Sequence, residues 1–173
     1  MRGGGGLFFS RKGVALGYVI GVDPGPKESA FVWWDEVDKR VCEVKILENE
    51  NATVLLRVRE FPVAIEKLVA YGQRVGDLTF ETTWWSGRFW QAIPSYSRKD
   101  CRMIGRKEVK LYLTGVTNTK DKQVREALVA KYGAVGTKKN PGPLYGVSSH
   151  AWAALAVAVT FSAFRAGEIR LEG

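Results

Sequence analysis

Two rhythms of apolar and polar positions alternate along the chain. Residues 18–22, Tyr-Val-Ile-Gly-Val, form a continuous apolar run rich in β-branched side chains that ends at Asp23 and is stopped by Pro24-Gly25; its length predicts a buried strand. Residues 29–34 (Ser-Ala-Phe-Val-Trp-Trp) repeat that composition, residues 35–40 are a polar turn, and residues 41–47 alternate apolar with charged positions. That is the pattern of antiparallel strands with one wet face. Asn49 to Val58 predicts a short helix with Glu50 or Asn51 near its start and Val54, Leu55 and Val58 on one side. Residues 61–66, Phe-Pro-Val-Ala-Ile-Glu, are a second compact apolar run, and it too terminates in a carboxylate.

The second half is mostly helical in pattern. After a glycine-punctuated loop at residues 71–76, a helix rich in aromatics is expected over 77–92, then a short strand at 101–104 and a helix over 106–114 closed by Gly115. Thr117 or Thr119 is placed to cap a helix over 121–132 with Val124, Leu128 and Val129 on one face, ended by Gly133. Residues 133–147 form a long basic loop stiffened by prolines, suited to contact with phosphates and equally readable as a solvated connector. An almost wholly apolar helix over 148–164 follows, with Ser148 or Ser149 as cap and His150 in its first turn.

Two strands lying side by side, each ending in an acid, bring those acids to one edge of a sheet where they can share a divalent cation. Asp23 and Glu66 are therefore the first candidates for chemistry. Read alone, Asp23-Pro24-Gly25 is an ordinary turn after a strand. Phe80, Trp84, Trp85, Phe89 and Trp90 on the 77–92 helix read as core or dimer contact ahead of base-stacking platforms.

Composition narrows the class. The 173 residues are 46% apolar and 25% charged, which suits one globular domain with a single substantial core. Lys and Arg number 26 against 18 Asp and Glu, a net charge of +8, which favours a polyanionic partner such as nucleic acid. Two cysteines, Cys42 and Cys101, are too few for a disulfide framework or zinc cluster and read as reduced thiols of a cytoplasmic protein. One histidine excludes a His-rich metal site. The apolar stretch from Ala151 to Phe164 is broken by Thr160 and Ser162 and falls short of the roughly 18 to 20 residues of a membrane span, so no membrane partner is expected. Residues 1–17, with four glycines followed by Arg11-Lys12, read as a flexible basic lead-in without the signature of a secretory signal; residues 18–173 read as the domain.

The order of these segments resembles the RuvC branch of the RNase H-like superfamily, the Holliday junction resolvases, and in particular its phage-type members. The resemblance rests on Ile20-Gly21-Val22-Asp23-Pro24-Gly25, Val63-Ala64-Ile65-Glu66, Lys120-Asp121-Lys122-Gln123-Val124-Arg125 and His150-Ala151-Trp152-Ala153-Ala154-Leu155-Ala156. Shorter matches are Tyr71-Gly72 with Val75-Gly76, Phe80-Glu81-Thr82, Gly87-Arg88-Phe89 and residues 138–147. Together they span Tyr18 to about Thr160.

The resemblance implies an α/β fold with an RNase H-like mixed five-stranded sheet flanked by helices, and a homodimeric enzyme that nicks four-way DNA junctions with two Mg2+ or Mn2+ ions. Carried over by position, Asp23 and Glu66 are metal ligands and His150, standing where many members have Asp, is a third. One helical turn on, cellular RuvC proteins carry a further Asp where this chain has Ala153; Asp121 could supply the missing carboxylate or only complement its helix dipole. Lys120, Lys122, Lys138, Lys139 and Arg88 are candidates for backbone contacts to DNA, and the Trp84-Trp85 and Phe89-Trp90 helix for the dimer seam. Three rivals stay open: a branched or flap DNA nuclease, a junction-binding module with a degenerate site, and an ATPase of the actin or sugar-kinase type, which normally needs a duplicated domain.

Overall fold

A computed structural model describes residues 17–171 apart from Glu60, Tyr71 and Gln73. The lead-in expected over residues 1–17 lies, but for Gly17, outside the described residues. Five strands form one sheet: β1 (Tyr18–Asp23), β2 (Glu28–Asp35), β3 (Arg40–Glu48), β4 (Val63–Lys67) and β5 (Arg102–Gly105), in the order β3-β2-β1-β4-β5. β1 pairs antiparallel with β2 and β2 with β3, while β4 is parallel to β1 and β5 to β4. The helices are α1 (Asn49–Val58), α2 (Asp77–Ala92), α3 (Arg106–Thr114), α4 (Asp121–Tyr132) and α5 (Ala151–Arg165). The mixed five-stranded α/β sheet flanked by helices is the fold that the resemblance implies.

Side chains alternate across β1 and β4, and the two faces bury different helices. Ile20, Val22, Phe31, Val63 and Ile65 pack with Ala52 and Leu56 of α1 and Phe89 of α2. Val19, Val32, Trp34, Ala64 and Ile104 pack against α5, with Val109 of α3 and Leu128 of α4 behind it. Asp23 and Glu66 continue the register of Val19-Gly21 and of Ala64, so both carboxylates stand on the α5 face. Gly21 is what lets α5 sit there: a Cβ at that position would fall 2.0 Å from the Ala154 carbonyl oxygen and 2.7 Å from the Ala158 methyl. Close contact of helix backbone with strand backbone fixes where α5 begins relative to the end of β1.

Three local expectations are corrected. α1 spans Asn49–Val58 as expected, but the face it buries is Asn49, Ala52, Thr53 and Leu56, whereas Val54 and Val58 are exposed. The buried set is small and partly polar because α1 lies against a bulky aromatic floor, so hydrophobicity alone pointed to the wrong face. α5 begins at Ala151 with His150 at the N-cap position and no side-chain cap. Ser148 and Ser149 serve through their carbonyls, which accept from Ala151 and Trp152, and Ser149 takes a left-handed φ of 45°. Neither Thr117 nor Thr119 caps α4: Lys120 is its N-cap residue, and the Thr119 hydroxyl donates to Gln123 Oε1 at 2.7 Å, which also accepts from the Lys120 N–H.

Candidate functional site

The parallel pairing of β1 with β4 runs Ile20 with Val63, Gly21 with Ala64 and Val22 with Ile65. One step further, Asp23 and Glu66 meet at the carboxyl ends of adjacent strands. Both are largely buried, with side-chain exposures of 13% and 10%. Burial first, and then the neighbouring Glu66 carboxylate, push Asp23 up to about 8, against a smaller downward pull from Arg106. Asp23 therefore keeps a proton at neutral pH, an arrangement that a bound cation would relieve.

The loop leaving Asp23 is clamped by a small buried polar network. Asn49 Nδ2 donates to the Gly25 carbonyl at 2.9 Å, the Ser29 hydroxyl donates to Asn49 Oδ1 at 2.6 Å, and the Gly25 N–H donates to Ser29 Oγ at 3.1 Å. Gly25 has no room for a side chain, since a Cβ would approach the Glu28 carbonyl oxygen to 2.2 Å. With every member partnered, the network holds the Pro24–Lys27 turn, and hence the Asp23 carboxylate, in one geometry.

Across the site stands Arg106, the first residue of α3. Its guanidinium reaches Glu66 Oε1 at 3.0 Å and Asp121 Oδ1 at 2.5 Å, so Asp121 is tied to the acidic pair through a positive charge. Burial works to lower the Arg106 pKa, but the two carboxylates outweigh it and hold it up. His150 Nδ1 lies 3.6 Å from Asp23 Oδ2, on a largely exposed ring.

These groups line a cleft of about 650 Å3, to which Lys27, Lys110 and Arg125 add positive charge. Asp23, Glu66, Asp121 and His150 are thus brought to one cleft. The five cations expected to meet DNA do not line it. Arg88 chelates Glu50 at 3.2 and 3.3 Å and lies over the Trp84 and Trp85 rings; Lys122 stands 3.8 Å from Glu126 on the exposed side of α4, with Lys120 at the start of that helix. Lys138 and Lys139 occupy a turn closed by Thr137 and Asn140 and by the Gly136–Pro141 bridge. That segment is anchored where the Pro143 carbonyl accepts from Val41, near the end of the sheet opposite Asp23. On α2, Phe89 is buried, while Leu78, Phe80 and Trp84 are more than half exposed.

Arg106, Lys110, Arg125 and the Asn49–Ser29 network are the site components that sequence reasoning missed. Asn49 sits at a helix start, where a polar residue is expected on other grounds. The cations carry no positional signal in a chain with 26 Lys and Arg.

Whether the residues fit a divalent ion is decided by the carboxyl pair. Among the described residues no group of three or more His, Cys, Asp and Glu side chains is gathered tightly enough to hold a metal ion. Asp23 and Glu66 nonetheless suit Mg2+ or Mn2+, which are commonly bound through one or two carboxylates with the remaining positions left to water and substrate phosphates. The described donors supply one such position.

No family model matches the chain, and no curated protein matches it. Solved structures do. A structure of Thermus thermophilus RuvC aligns over 90% of this chain and 99% of its own, with a TM-score of 0.62 and 21% identity. A second, of T. thermophilus RuvC in complex with a Holliday junction substrate, aligns over the same shares with a TM-score of 0.60 and 20% identity. Among the described residues, no helix is long and apolar enough to cross a membrane, and Cys42 and Cys101 are free thiols. The sheet order, the helices on its two faces and the match along nine-tenths of the chain establish that this protein has a RuvC-like, RNase H-like fold.

Proposed function

We propose that the protein is a metal-dependent endonuclease of branched DNA that resolves four-way junctions by paired nicks. The observation that carries this reading is the buried Asp23–Glu66 pair at the ends of β1 and β4, opening into a cleft with cationic walls. Likeness of fold to a RuvC protein solved with a Holliday junction substrate supports the choice of DNA class. In this reading Asp23 and Glu66 hold Mg2+ or Mn2+. The bound ion would supply Lewis-acid polarisation of the scissile phosphate and a water acidified toward hydroxide.

The chain's own residues have separate tasks. Asp23 gives up its proton and, with Glu66, presents fixed negative charge. Arg106 neutralises Glu66 and Asp121 until the site is filled. His150, exposed and beside Asp23, is positioned to orient a water or to join the ligands. Lys27 and Lys110 take phosphates of the strand without reading bases; Lys120, Lys122, Lys138, Lys139 and Arg88 are proposed as contacts further along the duplex arms. Two copies related by a twofold axis would nick opposing strands. The exposed Leu78, Phe80 and Trp84 of α2 are the proposed homodimer seam, and the proposed setting is the cytoplasm of a bacterium or of a phage-infected cell.

A second reading, a junction-binding module without cutting, is favoured by one observation: Ala153 lines the cleft where a further carboxylate would complete the ligands. Incubating labelled four-way junctions and flaps with the protein in Mg2+ and in Mn2+, beside Asp23→Asn and Ala153→Asp, separates the possibilities. Symmetric nicks in the junction that Asp23→Asn abolishes are the expected result. Tight junction binding with no nick in either metal, relieved by Ala153→Asp, supports the binding module, and cutting confined to flaps moves the substrate class.

A further inference from the structure

The cleft beside Asp23 is lined by two chemically distinct sets of side chains. One is the charged cluster of Asp23, Glu66, Asp121 and Arg106; the other is apolar, Val109, Val124, Trp152, Ala153 and Ala156. Val109 and Val124 are almost fully buried, so they form a firm floor, and Trp152 is partly buried against the same core. Arg125, exposed on α4, lies with its guanidinium carbon 4.7 Å from the centre of the Trp152 ring. A guanidinium stacked on an indole is a flat, positively charged shelf.

A phosphate would be satisfied by the charged cluster, but it would leave the apolar side chains and the flat face of the stacked guanidinium unused. What matches both sets is a nucleotide: an anionic group joined through a sugar to a flat ring with an apolar face. Ala153 and Ala156 contribute to this shape because their short side chains leave the floor low, and about 650 Å3 lies within the usual range for a small-molecule pocket. Bases taken out of a stack are commonly received on aromatic rings or on Arg guanidinium planes. Resting on the nuclease reading above, we propose that the nucleotide next to the scissile phosphate is unstacked from its strand and that its base is received on the Arg125–Trp152 shelf.

The shelf then acts as a positioning device. Holding the base fixes the sugar, and the sugar fixes the phosphate against Asp23 and Glu66. Because every base has a π-face, the contact tolerates any sequence while favouring nucleotides that unstack easily, as those at a junction's branch point do.

The test is a cycle between protein and substrate. Four-way junctions are prepared intact and with a single abasic residue at each nucleotide flanking the nick, and cutting is timed with wild type, Trp152→Ala, Trp152→Phe and Arg125→Ala. Thermal melts of each variant guard against misfolding, and Arg125, being exposed, puts the fold least at risk. With wild type, one abasic position is expected to slow cutting by about five- to a hundredfold, the range one stacked base supports. Trp152→Ala and Arg125→Ala should each slow cutting of the intact junction and add little on that abasic substrate, while Trp152→Phe keeps most of the rate. Equal cutting of abasic and intact junctions by wild type, or losses that multiply in full, overturns the shelf and leaves the nuclease reading standing. A wild type that cuts no branched DNA overturns both.

Discussion

Asp23 and Glu66 stand at the ends of strands whose neighbouring side chains are sealed from solvent, whereas Arg106 and Asp121 stand at the first positions of α3 and α4, helices with open flanks. The first wall of the cleft is placed by the core: Val22 and Ile65, one residue before each acid, have no exposed surface, and Gly21 locks α5 against β1. The second wall is placed by charge, through one guanidinium that joins Glu66 to Asp121. A carboxylate on the first wall cannot move to escape its neighbour and takes up a proton instead; groups on the second wall can turn toward solvent. The acidic pair is thus a fixed demand for positive charge, and Arg106 is an adjustable answer to it.

Breaking the fixed wall should have the largest effect. Asp23→Asn is expected to lower junction cutting by about a thousandfold or more, the equivalent of roughly 4 kcal/mol of transition-state stabilisation, while raising the thermal midpoint of the metal-free protein at pH 7, since the folded chain no longer has to protonate a carboxyl that the unfolded chain ionises. Cutting rates and melting curves on one preparation check both directions. Gly21→Ala comes next: with the new methyl driven into the Ala154 carbonyl, unfolding stability should drop by about 3 kcal/mol in urea titration. Gly87→Ala on α2, where a Cβ meets nothing within 4 Å, is the contrasting control and should gain about 0.5 to 1 kcal/mol.

Linkage sharpens the comparison. The Asp23 carboxyl, ordinarily near 3.8, titrates at about 8 in the folded chain. Between those values the folded protein holds a proton that the unfolded chain has lost. Stability from this group is therefore complete below pH 4 and is lost as pH rises toward 8, by at most about 1.4 kcal/mol per pH unit. Denaturation of metal-free protein across pH 4.5 to 8.5 should show that decline, and Asp23→Asn should flatten it. The smallest expected effect is on the adjustable wall. Arg106→Ala should cost about 1 kcal/mol or less, because its pairs are partly exposed to solvent, and should enlarge the stabilisation that added Mn2+ confers in a melt, since Glu66 is then free of its internal cation.

How much of this was legible beforehand follows the same division. The β1 and β4 ends could be read because a buried strand writes itself as an apolar run, and an acid at its last residue is conspicuous there. α5 was legible for the same reason. The α1 face was not: Val54 and Val58 are apolar yet exposed, while Asn49 and Thr53 are buried, because packing against Phe31 and Phe89 favours small residues and the Asn49 side chain is committed to Gly25 and Ser29. Nor could Arg106 be picked out, since its role depends on where α3 begins relative to β4 and on a side chain reaching two elements at once. Lys138 and Lys139 stand out in the sequence because their loop is basic and stiffened by prolines, which says nothing of where it lies. The segment after them runs from the opposite end of the sheet, where Val41 bonds Pro143, to the start of α5.

The account turns on Asp23 and Glu66 forming a single cation position, and titration of the protein with Mn2+ by calorimetry in buffers of different ionisation enthalpy tests it most directly. The expected result is binding accompanied by release of close to one proton at pH 7, weakened by about tenfold or more in both Asp23→Asn and Glu66→Gln, with the proton release gone in Asp23→Asn. Binding of Mn2+ that is equally tight in wild type and both variants, or that releases no proton at pH 7, would contradict it.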